Sequence, residues 1–341
     1  MTSSPLTIRD LARLTNSSKT TVARALNAEY GVSIETRQKI MKVAMEHGYH
    51  LDPKVTMLMS HLRQSKQKRR TTNLAWVCHS SITYIPEKTF WMGKIWAGAQ
   101  QRAQELGFTL DAVIENDREV SPERFKKILL ARGIVGIIEE PPYPDLPCAE
   151  FDHSPFAVCL LSNAAPNFTF HRTGSHHFYD TGLLLHELLA LGYQRPGVLF
   201  GTFINDITSN AIVARFEYEQ RHWKPANRIP WKGEDPRTPE GLRAWMHKWK
   251  PDVVICCDNG LVQRLKEAGF SVPRDVGVAH INLASDVPDW GGIDQNHHHL
   301  GAEAIDILSG QLNHGERGEP AYPKEVLVAG KFVQGKTLIK Q

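Results

Sequence analysis

The chain has 341 residues, of which 41% are hydrophobic and 23% charged, a composition typical of a globular protein with two or three domains. No apolar run reaches the roughly 18 residues that a membrane span needs. The N-terminus lacks the basic start and apolar stretch of a secretion signal, so we expect a cytoplasmic location. The five cysteines fit neither a disulfide framework nor a zinc knuckle and indicate reduced thiols: Cys78, Cys148, Cys159, Cys256 and Cys257.

The net charge of +3 is unevenly distributed along the chain. Residues 1–70 contain 13 Lys and Arg against 5 Asp and Glu, whereas the remainder contains 27 against 32. A basic segment on a mildly acidic remainder indicates a polyanionic partner for the first segment only. A basic segment that is simply solvated is the alternative.

Three short helices are predicted within residues 1–50. Thr7, Ser18 and Ser33 are good N-caps for helices over 8–14, 19–27 and 34–47. Between the first two helices, Asn16 tolerates the left-handed backbone that a tight turn needs. Apolar residues at helical spacing predict one small core: Ile8, Leu11, Ala12, Val22, Ala25, Leu26, Ile40, Val43 and Ala44.

Two short helices joined by a three-residue turn and covered by a third fit the helix-turn-helix unit. Lys and Arg side chains suit the guanine acceptors of a major groove. The outer face of the second helix presents such groups: Lys19, Thr20, Ala23, Arg24 and Asn27. From spacing alone, a helical bundle with a solvated polar face is the alternative.

The string LTIRDLARLTNSSKTTVARALN resembles the N-terminus of the LacI/GalR family of bacterial repressors, and residues 32–49 resemble the family's third helix with its closing tyrosine. Two departures are Thr15-Asn16-Ser17, where the family has Ala-Gly-Val, and Ala23, where it has Ser. The resemblance implies that Lys19 and Thr20 help to select the operator and that Arg24 reads a base. The residues expected at the DNA are Thr7, Ser18, Lys19, Thr20, Thr21, Arg24, Asn27 and Leu58.

Residues 51–72 are predicted to form a hinge helix and a basic linker. The helix after Pro53 is apolar nearly all round, and a short isolated helix of this kind is marginal in water, so it needs a partner. The resemblance implies that it orders on the operator and inserts a leucine, Leu58, into the minor groove. Met57 or Met59 in that role, or a helix docked on the rest of the protein, are alternatives.

Residues 73–341 alternate predicted strands and helices, which indicates parallel sheets covered on both faces, and their number suits two lobes. The expected fold class is therefore α/β with an N-terminal all-α domain. The resemblance extends here and implies a two-lobed, doubly wound domain like the type I periplasmic binding proteins. It places the lobes at about 73–169 with 295–323 and about 170–294 with 324–341, joined by crossings near 168–172, 293–295 and 322–325.

Ligands of such domains bind between the lobes at the carboxyl ends of strands. The resemblance suggests sugar-like effectors held by Arg215, Asp258, Asn282 and Gln295, with Phe90, Trp91 and Trp290 as candidates for stacking. A surface or packing role is the alternative for each.

No cofactor, catalytic group or metal site is expected. The sequence contains no nucleotide-binding glycine motif and no nucleophile elbow. Adjacent residues on a helix point in different directions, so His297-His298-His299 does not suit a metal ion.

We therefore expect a homodimeric repressor that binds a near-palindromic operator under control of a small molecule, a carbohydrate or related metabolite. An activator or dual regulator of the same family is the first alternative. A plain solute-binding protein and an enzyme with a DNA-binding appendage fit less well, since the first lacks a helix-turn-helix and the second needs a catalytic constellation.

Overall fold

The computed structural model describes residues 7–26, 32–47, 49, 72–78, 91–114, 120–140, 151–161, 163, 169–283 and 288–341. The expectations for Asn27, for hinge residues 51–71 with Leu58, for Phe90 and for Cys148 lie outside this part of the chain. Among the described residues, no helix is long and apolar enough to cross a membrane. The four described cysteines, Cys78, Cys159, Cys256 and Cys257, form no disulfide bond with one another.

An N-terminal helical unit precedes an α/β region that contains two sheets. The helices are α1 Ile8–Thr15, α2 Lys19–Leu26, α3 Ile34–Glu46, α4 Trp91–Glu105, α5 Pro122–Ala131, α6 His177–Ala190, α7 Thr202–Ile207, α8 Ala211–Gln220, α9 Pro239–Trp249, α10 Leu261–Glu267 and α11 His297–His314. The strands are β1 Thr72–Cys78, β2 Phe108–Ile114, β3 Ile134–Glu139, β4 Ala157–Leu161, β5 His171–Ser175, β6 Pro196–Leu199, β7 Val253–Cys256, β8 Gly277–His280, β9 Gly291–Asp294, β10 Glu325–Val328 and β11 Lys331–Val333.

Local side-chain bonds set the ends of the first three helices. The Asp10 carboxylate accepts hydrogen bonds from the Thr7 N–H at 3.0 Å and the Thr7 hydroxyl at 2.5 Å, which closes the start of α1. These bonds hold the pKa of Asp10 below its ordinary value. Ser18 Oγ accepts the Thr21 N–H at 3.0 Å, and Asn16 turns the chain with φ at 49°. The caps and the left-handed turn were both predicted.

The three helices share one small apolar core. Its buried members are Leu11, Ala12, Val22, Ala25, Ile40 and Ala44, and Ile8, Leu26, Val32, Val43 and Tyr49 pack at its edge. All nine predicted core residues are among them. The polar face of α2 is therefore left on the outside of the unit.

Six parallel strands form the first sheet in the order β10-β5-β4-β3-β1-β2. Trp76 in β1 lies opposite Ala112 of β2 and Ile138 of β3, and it is fully buried. Helices α4 and α11 cover one face, and α5 covers the other. Because both faces are covered, strands such as Leu74–Cys78 are apolar along their whole length.

The second sheet has the order β11-β9-β8-β7-β6, in which only β11 runs antiparallel to its neighbour. Helices α6 and α8 pack on one face of it, and α9 and α10 on the other. Each sheet with its helices is one lobe, as the predicted α/β class requires.

The chain passes between the two lobes three times. It leaves the first lobe between Ser175 and His177, returns between Asp294 and His297, and leaves again between Val328 and Lys331. The first and third crossings lie later than the expected 168–172 and 322–325. The reason is that β5 and β10 pair with each other inside the first sheet, so both belong to the first lobe.

Candidate DNA-reading helix and effector cleft

The outer face of α2 presents cationic side chains to solvent. Lys19, Thr20 and Arg24 are exposed, and Thr21 is half-buried. Within the described part of the chain, no carboxylate forms an ion pair with Lys19 or Arg24. The helix is short, and its buried face holds Val22 and Ala25, so it can present this face to a groove without disturbing its own core.

Two of the predicted DNA contacts, Thr7 and Ser18, cap helices, and a third, Thr21, is paired with Ser18. The Thr7 hydroxyl is bonded to Asp10, and the Ser18 and Thr21 hydroxyls lie 2.8 Å apart. These hydroxyls therefore fix the starts of α1 and α2 within the unit. The lone pairs of these hydroxyl oxygens do not attract a negatively charged phosphate. A hydroxyl can bind a phosphate only if its O–H rotates and donates a hydrogen bond to it.

A cavity of about 370 Å³ lies between the lobes. It is reached by the carboxyl ends of strands from both sheets: Leu161 and Ser175 from the first, and Cys257, Ile281 and Gln295 directly after strands of the second. This is the position at which ligands bind in open α/β sheets. The volume lies near the lower end of the range for small-molecule sites, about 300–1,000 Å³.

Large apolar side chains make up half of the described cavity lining. They come from α4, β4 and α11 on one side and from α7, α8 and the end of β8 on the other: Trp91, Met92, Ile95, Leu161, Leu300, Phe203, Ile204, Ile207, Ile212 and Ile281. Apolar area on opposed walls favours a ligand that itself has an apolar surface.

Uncharged polar side chains complete the lining, together with Gly174 and Cys257: Asn163, Thr173, Ser175, His177, Thr208, Asn282, Gln295 and His297. Gln295 is the centre of one small network, since its Nε2 donates to the Ile281 carbonyl at 2.9 Å and lies 3.3 Å from His177 Nδ1. The His297 ring packs against Trp91 with the ring centres 5.8 Å apart.

Both histidines of the cavity are neutral at physiological pH. Burial lowers the pKa of His177 to about 4 and that of His297 to about 4. The charged form loses its hydration in such a place without gaining a partner. As neutral imidazoles, each ring offers one donor and one acceptor to a ligand.

Among the predicted effector contacts, Trp91, Asn282 and Gln295 line the cavity. Arg215, Asp258 and Trp290 do not. Arg215 lies over the Phe178 ring at 5.0 Å and pairs with Glu219 at 2.7 Å, between α8 and α6. Asp258 pairs with Arg264 and Arg237, and the Trp290 ring contacts His280 at 5.8 Å.

Four cavity residues were not predicted from the sequence: His177, His297, Phe203 and Thr208. A signal existed for His177 and His297, because each begins a helix two or three residues after a short strand at a lobe crossing. His297 was considered only as part of a histidine triplet, yet it is buried whereas His298 and His299 are exposed. The described residues contain no group of three His, Cys, Asp or Glu side chains placed to hold a metal ion.

A buried carboxyl group stands beside the third crossing and leads to a prediction. Asp180 is 0% exposed, its Oδ1 accepts the Gly330 N–H at 2.7 Å, and its Oδ2 has no hydrogen-bond partner among the described residues. Burial raises its pKa to about 6, so the folded protein binds this proton more tightly than the unfolded chain does. The group's contribution to stability is therefore greatest below about pH 4 and falls as the pH rises to about 6.

We expect Asp180→Asn to raise the free energy of unfolding by about 2 kcal/mol at pH 7.5, because the amide keeps the acceptor oxygen and removes the buried charge. The gain should shrink towards zero near pH 4.5. Urea titrations at both pH values measure it, with exposed Asp111→Asn as the control. A gain that is the same at both pH values would contradict the assignment.

Two family models match separate segments of the chain. Residues 7–52 match the model of bacterial regulatory proteins of the lacI family, and residues 185–338 match the periplasmic binding protein-like domain. The N-terminal part of the chain is therefore similar to the lacI family, and most of the α/β region is similar to the periplasmic binding protein-like domain. The lacI family consists of transcriptional regulators that bind DNA and small molecules, not enzymes.

Individual relatives match either nearly the whole chain at low identity or its N-terminal segment at higher identity. The transcriptional repressor PurR of Haemophilus influenzae is 21% identical over 344 residues, which cover 93% of this chain and 94% of PurR. The regulator TreR of Escherichia coli is 50% identical over 44 residues, 13% of this chain and 14% of TreR. The structure of the lac repressor dimer bound to operator and the anti-inducer ONPF has a TM-score of 0.55 at 19% identity and covers 98% of this chain and 100% of its own.

Proposed function

We propose that this protein represses transcription by binding an operator, and that a small molecule held between its lobes controls the binding. One observation carries the proposal. The cavity is lined by residues of both lobes and by His177 and Gln295, which lie at two of the three crossings. A ligand there contacts both lobes, so its affinity differs between arrangements of the lobes, and it can shift their equilibrium.

On the DNA side, Lys19, Thr20 and Arg24 contact base edges in the major groove, with the capping hydroxyls and Asn27 near the backbone. Two copies of the chain bind a near-palindromic site, since a dimer with twofold symmetry matches two symmetry-related half-sites. Leu58 of each copy enters the minor groove between them. The lac repressor structure, a dimer on its operator, supports this arrangement. The protein acts in the cytoplasm, where the DNA is.

On the effector side, the ligand is a sugar or related metabolite. Trp91 offers a ring for stacking, and Asn282 and Gln295 offer hydrogen bonds. The Asn282 Oδ1 has no hydrogen-bond partner among the described residues, which leaves an acceptor for a ligand hydroxyl or amine.

Selection from a pool of random duplexes by the purified full chain tests the DNA-binding part. We expect enrichment of a site with twofold symmetry, and an affinity that falls by at least about a thousandfold between roughly 50 and 200 mM salt. Sedimentation equilibrium should give a dimer on and off this site. If no sequence with twofold symmetry were enriched, the result would contradict the proposal.

A thermal-shift screen of sugars and related metabolites tests the effector part. A compound that raises the melting temperature should change affinity for the selected duplex by at least about fivefold, in either direction. Asn282→Ala should weaken both effects while leaving operator binding without the compound unchanged. A stabilising compound with no effect on operator affinity would contradict control through the cleft.

A further inference from the structure

The cavity between the lobes carries no formal charge on its described lining. Its twenty described residues include no Asp, Glu, Lys or Arg. The two charged residues predicted as effector contacts, Arg215 and Asp258, pair with Glu219, Arg237 and Arg264 outside the cavity. Lys94 and Asp294 act electrostatically on His297, but they do not belong to the lining. An ion placed against the described lining would therefore lose hydration without direct contact with a counter-charge, which is strongly unfavourable.

Apolar side chains from both lobes line the cavity, and two of them on α7 are strongly exposed. Phe203 and Ile207 of α7 are 45% and 42% exposed, although they line the cavity. From the first lobe comes Trp91, half-buried at the start of α4 and packed on His297. A flat apolar surface inserted between Trp91 and α7 would cover side chains from both lobes at once.

Three hydrogen-bonding groups of the cavity lining have no partner in the described part of the chain. His297 is 2% exposed, and its Nδ1 is one of them. The Asn282 Oδ1 and the Thr173 hydroxyl are the other two. Because burial keeps His177 and His297 neutral, the polar part of the described lining offers donors and acceptors but no charge.

We propose that the effector is an electrically neutral ring compound with one apolar face, and that the cleft rejects phosphorylated or carboxylated forms of the same compound. This inference rests on the proposed function and narrows its ligand class. The apolar face lies between Trp91 and the α7 wall, and the polar groups of the ligand meet His297, Asn282 and Thr173. The protein would then respond to a free metabolite and ignore its ionised derivatives.

A matched pair of dyes tests whether the cleft prefers a neutral ring compound, and the identity of the effector need not be known. N-phenylnaphthylamine is neutral, and anilinonaphthalene sulfonate has the same rings with one added sulfonate. Titration of the full chain, followed by energy transfer from tryptophan, should give a dissociation constant at least about tenfold lower for the neutral dye. Equal or tighter binding of the sulfonate overturns the proposal, and so does a failure of the neutral dye to bind.

Charge-inserting variants show whether the preference arises in the cleft. Ile207→Lys places a cation on the α7 wall and should reverse the preference in favour of the sulfonate. Ile339→Lys is the matched control, since Ile339 is 41% exposed and does not line the cavity, and it should retain the preference. If Ile207→Lys does not fold, Phe203→Lys has the same expected effect. An unchanged preference in the folded cleft variant overturns the proposal.

Pairs of metabolites then show whether the ring of the effector belongs to a sugar or to a nucleoside. Calorimetry compares the binding of glucose with that of glucose phosphate, and the binding of adenosine with that of adenosine monophosphate. If either pair binds, the affinity for its neutral member should be at least about tenfold higher. A preference for either phosphate contradicts the proposal. Binding to the selected operator is measured in parallel, because loss of operator binding would contradict the proposed function but not the neutrality of the cleft.

Discussion

Arg24→Ala should reduce operator affinity by roughly 30-fold to 20,000-fold while leaving ligand binding in the cleft unchanged. Arg24 is exposed in the last turn of α2, and it has no ion-pair partner within the described residues. A bidentate contact to guanine contributes about 1–3 kcal/mol of discrimination, and a dimer loses it in both half-sites, about 2–6 kcal/mol in all. Arg24→Lys keeps the charge but not the fork-shaped donor pair, so it should lose selectivity more than total affinity.

Fluorescence anisotropy with the selected duplex and with a scrambled duplex measures both effects. We expect the scrambled duplex to bind the alanine variant nearly as well as the wild type, because non-specific affinity comes from many phosphate contacts. Arg124→Ala is the matched control, since Arg124 is an exposed arginine on α5 in the first lobe. An alanine variant that loses both duplexes equally would show that Arg24 contacts phosphate and does not read a base.

The N-terminal unit was predictable from sequence because its determinants are local. Thr7 with Asp10, and Ser18 with Thr21, are three residues apart, and each pair fixes the start of one helix. Asn16, the one left-handed residue among the described residues of this unit, lies between two helices whose apolar spacing is regular. Little in this unit depends on residues far away in the chain.

Several elements of the two lobes depend on distant pairing and could not be predicted in this way. Strand β5, with the sequence HRTGS, has no apolar run, and its burial comes from lying between β4 and β10, about 150 residues further along the chain. Likewise, helix α6 begins at His177, well before its buried leucines Leu184 and Leu185. Its start is closed by His176, whose ring accepts the Tyr179 N–H at 3.3 Å.

The cavity shows the same division between local and distant determinants. Asn282 and Gln295 were found because each follows a strand, a local pattern that parallel sheets bring to one edge. Arg215 was misplaced because sequence position on a helix does not reveal which neighbour the side chain meets. A Cβ at Gly182 of α6 would lie 2.5 Å from the Arg215 guanidinium carbon, so the absence of a side chain there gives Arg215 its place away from the cavity.

Helices α4 and α11 are in backbone contact, so a substitution between them should have a large effect on stability. A Cβ at Gly301 would lie 1.8 Å from the Ile95 carbonyl oxygen, and one at Gly98 would lie 1.8 Å from the His298 carbonyl oxygen. No rotamer relieves a clash with backbone, so the helices would have to separate. Their separation would also part Trp91 from His297 at the cavity, since these residues begin the two helices.

We therefore expect Gly301→Ala to lower the free energy of unfolding by about 3 kcal/mol, the upper part of the usual range for overpacking. Gly310→Ala in the same helix meets nothing within 4 Å, so it should raise stability by about 0.5–1 kcal/mol through helix propensity alone. Urea denaturation of the full chain followed by circular dichroism compares the two. The double variant Gly98→Ala with Gly301→Ala should cost less than the sum of its parts, because one separation of the helices relieves both clashes. Equal effects of alanine at 301 and 310 would mean that the two backbones are not in contact, and the wall that holds Trp91 would then owe its position to side chains rather than to the paired glycines.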